Sequence, residues 1–68
     1  MIRIDLLKEH IKNRRIPIPE IAEKLNVSPS TFYRMLESNG EKLTIVQSLA
    51  LKDVLSLSQS EYNDIFLP

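Results

Sequence analysis

The stretch IPEIAEKLNVSPSTFYRML, residues 18–36, contains two short helical patterns separated by only three residues, Asn26-Val27-Ser28. Each pattern has one apolar side, formed by Ile21, Ala22 and Leu25 in the first and by Phe32, Met35 and Leu36 in the second. A helix of this kind buries its apolar side against a neighbour. The stretch therefore predicts two short helices that pack on each other across a tight turn.

The residues at the helix ends agree with so short a break. Pro19 suits the first turn of a helix, where its missing N–H would have no partner. Asn26 tolerates the left-handed backbone that often ends a helix. Ser28 followed by Pro29 is a strong helix start, with serine as the N-cap. This arrangement is typical of the helix-turn-helix, whose second helix enters the major groove of DNA.

The outward side of the second helix carries the candidate DNA contacts. Ser30, Thr31 and Arg34 point away from its apolar side, and Tyr33 and Glu37 are interpreted in the same way. These side chains are mostly short and form hydrogen bonds, as contact with bases and phosphates requires.

Some of these residues also have a purely structural interpretation. Tyr33 could cover a neighbouring helix with its hydroxyl in water, and Arg34 could form a surface ion pair with Glu37 or Glu20. The pair Arg14-Arg15 is more often a solvated loop than a DNA contact. These alternatives stay open at the level of sequence.

Three further helices are predicted around this pair. The first runs from about residue 5 to residue 13, with Ile4, Leu7 and Ile11 facing inward. A fourth helix begins at Thr44 and a fifth runs from Ser58 to about residue 65. Each begins with a capping box, and the boxes are Thr44 with Gln47 and Ser58 with Glu61. The predicted apolar stripe of the fourth helix consists of Ile45, Ser48, Leu51 or Lys52, and Leu55, broadened by Leu49.

No stretch alternates with period two for long enough to need a strand. The fold class predicted is therefore all-α, a compact bundle of five short helices in a single domain, residues 1–68, with the helix-turn-helix at about 18–37. A chain of 68 residues has room for a small core only, and such domains often gain stability from a partner.

The composition argues against several classes of function. The chain has no cysteine and a single histidine, His10, so we expect no disulfide, no metal site and no cofactor. No Ser/His/Asp grouping or phosphate-cradling glycine loop points to an enzyme. The sequence has neither a membrane-spanning apolar run nor a signal-peptide pattern, so we expect a cytoplasmic protein with no membrane partner.

The formal net charge is zero, whereas DNA-binding domains are commonly basic. The charge is unevenly distributed, with eight Lys/Arg against six Asp/Glu in residues 1–42 and one against three in residues 43–68. The basic surplus lies in the half that contains the helix-turn-helix but is small. We therefore expect weak non-specific DNA affinity and a reliance on dimerisation.

These features together resemble the lambda-repressor-like helix-turn-helix family, which includes small phage repressors and Cro proteins. With Ile18 as position one, the small residue of the family motif falls on Ala22 and its left-handed residue on Asn26. Its apolar positions fall on Ile21, Leu25, Val27, Phe32 and Met35. The residues around 6–12 and 44–58 are similar to the family's first and fourth helices, so the resemblance covers nearly the whole chain.

The resemblance implies particular DNA contacts. Base-reading positions of the family correspond to Pro29, which lacks a side-chain donor, and to Ser30, Thr31 and Arg34. Arg34 is the strongest candidate, because arginine can bond to guanine O6 and N7 together. The phosphate candidates are Ser28, Tyr33, Asn39 and Lys42.

This chain departs from the family pattern at the start of the second helix. Pro17 and Ile18 stand where the family usually has a Ser or Thr cap and a phosphate-binding Gln. We expect backbone amides near Glu20 to replace that phosphate contact.

The C-terminal residues Tyr62, Ile65, Phe66 and Leu67 form a dense apolar cluster. They either pack on their own domain or form a two-fold interface. The resemblance implies dimerisation through this region, so the hypothesis is a homodimer built on segment 58–68, with Tyr62, Phe66 and Leu67 at the interface. Such a dimer would place two recognition helices roughly 34 Å apart on a palindromic operator.

The leading functional interpretation is a sequence-specific double-stranded DNA-binding transcriptional regulator, a repressor of phage or mobile-element type. The alternative is the same fold used as a protein-interaction module, an antitoxin-like or anti-repressor partner. No small-molecule ligand is expected, since a domain this small has little room for a pocket.

Overall fold

Five α-helices make up the regular secondary structure of residues 2–68, the range that the computed structural model describes. In chain order they are α1 (Ile4–Arg14), α2 (Ile18–Lys24), α3 (Pro29–Glu37), α4 (Ile45–Val54) and α5 (Gln59–Phe66). No strand occurs in this range. The all-α fold with five short helices is confirmed.

Side-chain caps fix the starts of three helices. At α3 the Thr31 amide donates to Ser28 Oγ over 3.1 Å. The predicted capping box of α4 is present, with the amides of Gln47 and Thr44 donating to each other's side chains over 3.1 and 3.0 Å. The box of α5 joins Ser58 and Glu61 in the same way, over 3.0 and 2.8 Å. Each cap satisfies amides that the first helical turn leaves without a partner.

Left-handed residues lie at the junctions between helices. The residues with positive φ are Arg15 (57°), Asn26 (60°), Asn39 (58°), Gly40 (74°) and Ser56 (52°). The left-handed conformation predicted for Asn26 is confirmed. The chain therefore turns sharply after each of its first four helices, which keeps the connections short.

The core is built around α2, which packs against both α3 and α4, while α1 packs against α5. Ile21 and Ala22 of α2 are completely buried. The other side chains with no exposed surface are Leu7, Phe32, Leu51, Leu55 and Ile65. The apolar side predicted for α2 is thus at the centre of the molecule, where Ala22 is small enough for neighbouring helices to approach closely.

Two inward assignments on α4 were wrong. Ile45 is 77% exposed and Leu49 is 50% exposed, whereas Ser48, Leu51 and Leu55 are buried as predicted. The apolar residues of α4 cover more than one side of the helix, so their spacing alone does not select the buried side. On α1, Leu7 is fully buried, while Ile4 and Ile11 are only partly so.

No helix within residues 2–68 is both long enough and apolar enough to cross a membrane. In the same range, no three histidine or acidic side chains cluster closely enough to hold a metal ion.

Candidate nucleic-acid interface

The turn between α2 and α3 is held by backbone hydrogen bonds. The amide of Val27 donates to the Ala22 carbonyl over 3.0 Å, and the amide of Asn26 donates to the Glu23 carbonyl over 3.1 Å. The side chain of Val27 is partly buried against the core. Backbone hydrogen bonds and the packing of Val27 therefore both hold the turn, and they fix the orientation of α3 relative to α2.

The two sides of α3 are clearly separated. Phe32 is fully buried, and Met35 and Leu36 are 6% and 7% exposed. The outward side carries exposed Ser30, Tyr33, Arg34 and Glu37, with Thr31 partly exposed between them. The outward residues are those predicted from the helical spacing.

A chain of hydrogen bonds runs along this outward side. Ser28 Oγ donates to Thr31 Oγ1 over 2.9 Å, and Nη2 of Arg34 donates to the same Thr31 oxygen over 3.2 Å. The guanidinium therefore reaches back along α3 toward the start of the helix, where a recognition helix contacts base edges. The surface pairs considered for Arg34 are not formed, because the ion pairs within residues 2–68 are Arg3–Asp5 and Arg14–Glu61.

Arg34 and Lys42 border one shallow depression of about 290 Å³, lined also by Thr31, Met35 and Ser38. It brings a cation of α3 and a cation of the following loop to the same surface. Ser38 was not among the predicted contacts, although it lies one turn after Arg34 and helical spacing could have included it. Its hydroxyl donates to the Met35 carbonyl over 3.0 Å, so its proton is already used.

The loop after α3 presents the remaining phosphate candidates. Asn39 and Lys42 are both exposed. Two backbone hydrogen bonds order the loop itself. The amide of Gly40 donates to the Met35 carbonyl and the amide of Leu43 donates to the Gly40 carbonyl, each over 3.0 Å. Ser28 also has an exposed side chain, but its hydroxyl is committed to capping α3 and to Thr31.

The start of α2 has no side-chain cap, and one of its backbone amides is already hydrogen-bonded. Pro17 is the N-cap and forms no side-chain hydrogen bond. The Glu20 amide donates to the Pro17 carbonyl over 3.0 Å, so it is not available to a phosphate. The expected phosphate contact from backbone amides near Glu20 therefore stays a prediction, with the Glu20 amide itself already hydrogen-bonded.

Charges in and directly after α3 are nearly balanced. From residue 28 to residue 42 the chain carries two cations, Arg34 and Lys42, and two acids, Glu37 and Glu41. The positive surplus of the first 42 residues therefore comes from outside α3 and its loop. Any binding of DNA here would depend on a few specific contacts rather than on a strongly basic surface.

The C-terminal cluster divides between core and surface. Tyr62 is 8% exposed, and its ring centroid lies 4.9 Å from that of Phe66, while Ile65 is fully buried. Phe66 is partly exposed and Leu67 is 67% exposed. Tyr62 has little surface to offer a partner because it is buried within its own chain. Phe66 and Leu67 are the cluster residues that remain accessible.

Comparison with known proteins places this geometry in a family. A family model described as the helix-turn-helix domain of resolvase matches residues 3–39, which include α1, α2 and α3. No curated protein and no solved structure matches the chain significantly. The family match supports a helix-turn-helix DNA-binding family in general and does not single out the lambda-repressor-like one. Since the match spans more than half of the 68 residues, the chain belongs to the family of resolvase-type helix-turn-helix domains.

Proposed function

We propose that this chain is a sequence-specific double-stranded DNA-binding transcriptional regulator that reads the major groove with α3. The observation that carries the proposal is the outward side of α3, on a helix whose orientation is fixed by Phe32, Met35 and Leu36. A rigidly held helix that presents short polar side chains and one arginine has the chemistry of base readout.

Arg34 is the proposed principal base contact. Its guanidinium can donate two parallel hydrogen bonds to O6 and N7 of guanine, a pairing that discriminates by about 1–3 kcal/mol against other bases. Ser30 and Thr31 are proposed as less selective readers, and the Thr31 methyl can also meet a thymine methyl.

Phosphate contacts are proposed for the groups that flank the recognition helix. The exposed Tyr33 hydroxyl, the Asn39 amide and the Lys42 ammonium can each donate to a phosphate oxygen. Ser28 is proposed in the same role because it is exposed. Its hydroxyl donates to Thr31 in this structure and must rotate to donate to a phosphate instead.

We further propose that the chain is a repressor of phage or mobile-element type, similar to lambda-repressor-like regulators, and that it acts in the bacterial cytoplasm. We propose that it binds a palindromic operator as a homodimer. The balanced charge supports this, because a single domain with few cations gains little from non-specific phosphate attraction. Two half-sites bound together would supply the missing affinity.

A binding selection on random double-stranded DNA, followed by titration of the selected site, tests the proposal. Arg34→Ala should weaken binding to that site by roughly 5- to 150-fold, from the cost of one lost bidentate contact. The control Lys8→Ala removes an equal charge from an exposed position on α1 and should have a much smaller effect. Both variants should keep the wild-type unfolding temperature. Equal affinity of Arg34→Ala and wild type would refute Arg34 as a base contact. A selection that enriches no sequence would refute sequence-specific DNA binding.

The second candidate is a protein-interaction module, an antitoxin-like or anti-repressor partner. It is favoured by the balanced charge around α3 and by the absence of a phosphate-binding side chain at Ile18. The same selection separates the two candidates, since a module of this kind would enrich no DNA sequence.

A further inference from the structure

Several large apolar side chains lie exposed on the surface. Within residues 2–68, five large apolar side chains are at least half exposed. One of them, Tyr33, belongs to the recognition helix. The other four, which we call the α4 face, are Ile45 (77% exposed), Val46 (76%), Leu49 (50%) and Leu67 (67%).

The members of the α4 face lie close together. Ile45, Val46 and Leu49 are spaced by one and four residues on α4, so they share one side of the helix. Ile45 and Leu67 border the same cleft of about 120 Å³, whose floor includes Tyr62 and Phe66. The face is therefore continuous from the start of α4 to the end of α5.

We propose that the α4 face is the surface through which two copies of this chain associate. None of its four residues is charged, so it lacks the cations that nucleic acid requires and the ion-pairing groups of a charged peptide site. A two-fold contact places the same patch on both partners, so an apolar patch can meet its own copy without charge complementarity. The net charge of zero means that two copies meet without overall repulsion.

The size of the face indicates the class of interface that it can form. Four such side chains expose on the order of 400 Å², which is within the range of the largest apolar patch on a typical monomeric protein. The whole chain exposes 4528 Å². A stable interface buries about 800 Å² per partner, so this contact falls in the weak, transient class. We therefore expect monomers at low micromolar concentration and dimers as the concentration approaches millimolar.

The dimensions of the chain allow such a dimer to bind adjacent DNA turns. Recognition helices roughly 34 Å apart must each lie about 17 Å from the two-fold axis. The molecule measures 27 Å along its longest axis, which is more than the about 17 Å required of a recognition helix. Self-association can be tested without DNA, whereas the binding of the dimer to adjacent DNA turns rests on the proposed function.

Sedimentation velocity from 10 µM to 1 mM tests the self-association, with Val46→Asp as the disrupting variant. An acidic residue suits the first turn of α4, so this change should not unfold the helix, and circular dichroism verifies that. The control Asn13→Asp adds the same charge at an exposed position, at the opposite end of α1 from the cleft. We expect dimers of wild type and Asn13→Asp at high concentration and monomers of Val46→Asp. A monomeric wild type at 1 mM, or an equally dimeric Val46→Asp, overturns the proposal.

DNA titrations then separate this proposal from the proposed function. On a site with two half-sites, wild type should bind cooperatively, while Val46→Asp should bind one half-site with unchanged affinity and lose the cooperativity. If neither protein binds DNA while wild type still dimerises, the DNA-reading proposal fails and the α4 interface stands. If both proteins bind DNA with equal cooperativity, the interface lies elsewhere.

Discussion

The phenolic hydroxyl of Tyr62 lies 2.8 Å from Ser48 Oγ in the interior of the protein and joins α5 to α4. Ser48 also donates its hydroxyl proton to the Ile45 carbonyl over 2.7 Å. A serine hydroxyl has one proton, so Tyr62 is the donor in the pair that it forms with Ser48. The direction of this bond determines which partner is more costly to remove.

Ser48→Ala should destabilise the fold more than Tyr62→Phe. Removing Ser48 Oγ leaves a buried phenolic donor without a partner, which costs about 1–3 kcal/mol. Removing the phenol leaves Ser48 still donating to Ile45, so Tyr62→Phe should cost about 1 kcal/mol or less. Urea unfolding of both variants measures the difference, and a larger loss for Tyr62→Phe would contradict the assigned direction.

Thr31→Val should weaken binding to the selected DNA site by roughly 2- to 10-fold, the value of one lost hydrogen bond. Valine keeps the shape of threonine but removes the oxygen that orients the Arg34 guanidinium at 3.2 Å. In an Arg34→Ala background the same change should have a smaller effect, because the part that acts through Arg34 is already lost and only the direct contact proposed for Thr31 remains. A full loss in both backgrounds would mean that Thr31 contacts DNA independently of Arg34.

Asn39→Gly should separate DNA contact from folding. Asn39 has a φ of 58°, a conformation that glycine adopts without strain, so the unfolding free energy should change by less than about 1 kcal/mol. DNA affinity should fall if the side-chain amide of Asn39 contacts a phosphate. Since that amide is neutral, the salt dependence of binding should stay the same, whereas Lys42→Ala should reduce its slope by about one. Unchanged affinity of Asn39→Gly would remove Asn39 from the interface.

Glu61→Gln should reduce the loss of stability in acid. The Ser58 amide that donates to Glu61 lowers the pKa of this carboxyl, assisted by the Ser58 hydroxyl and by His10 and Arg14. A lowered folded-state pKa stabilises the protein above the unfolded value, about 4.3, and this stabilisation is lost as the pH falls through the folded-state pKa. Wild type should therefore lose more stability than Glu61→Gln between pH 6 and pH 3 in urea unfolding. Parallel pH profiles would exclude this role for the carboxylate.

Helix starts were predictable because their determinants are local. The caps at Ser28, Thr44 and Ser58 each involve residues only three positions apart, so the amino-acid order contains the whole interaction. The left-handed turn at Asn26 was predictable for the same reason. Arg15 and Ser56 adopt the same conformation without a residue type that favours it, and their turns were not recognised as left-handed.

The buried side of α4 was only partly predictable, because contacts remote in sequence select it. Ser48 faces inward beside Tyr62, fourteen residues later, and that orientation leaves Ile45 and Leu49 outward. The outward residues of the candidate site were found from helical spacing alone. The bond between Arg34 and Thr31 was not, because it depends on the conformation of a long side chain.

The separation of the two sides of α3 has a consequence for how this chain could change over generations. Phe32, Met35 and Leu36 hold the helix, and none of them is among the proposed DNA contacts. Mutations at Ser30 or Arg34 can therefore accumulate without loss of the scaffold, since exposed substitutions typically change stability by less than about 0.5 kcal/mol. A duplicated copy of this gene could acquire a new DNA target by exchanging a few outward side chains, without any change in its helical framework.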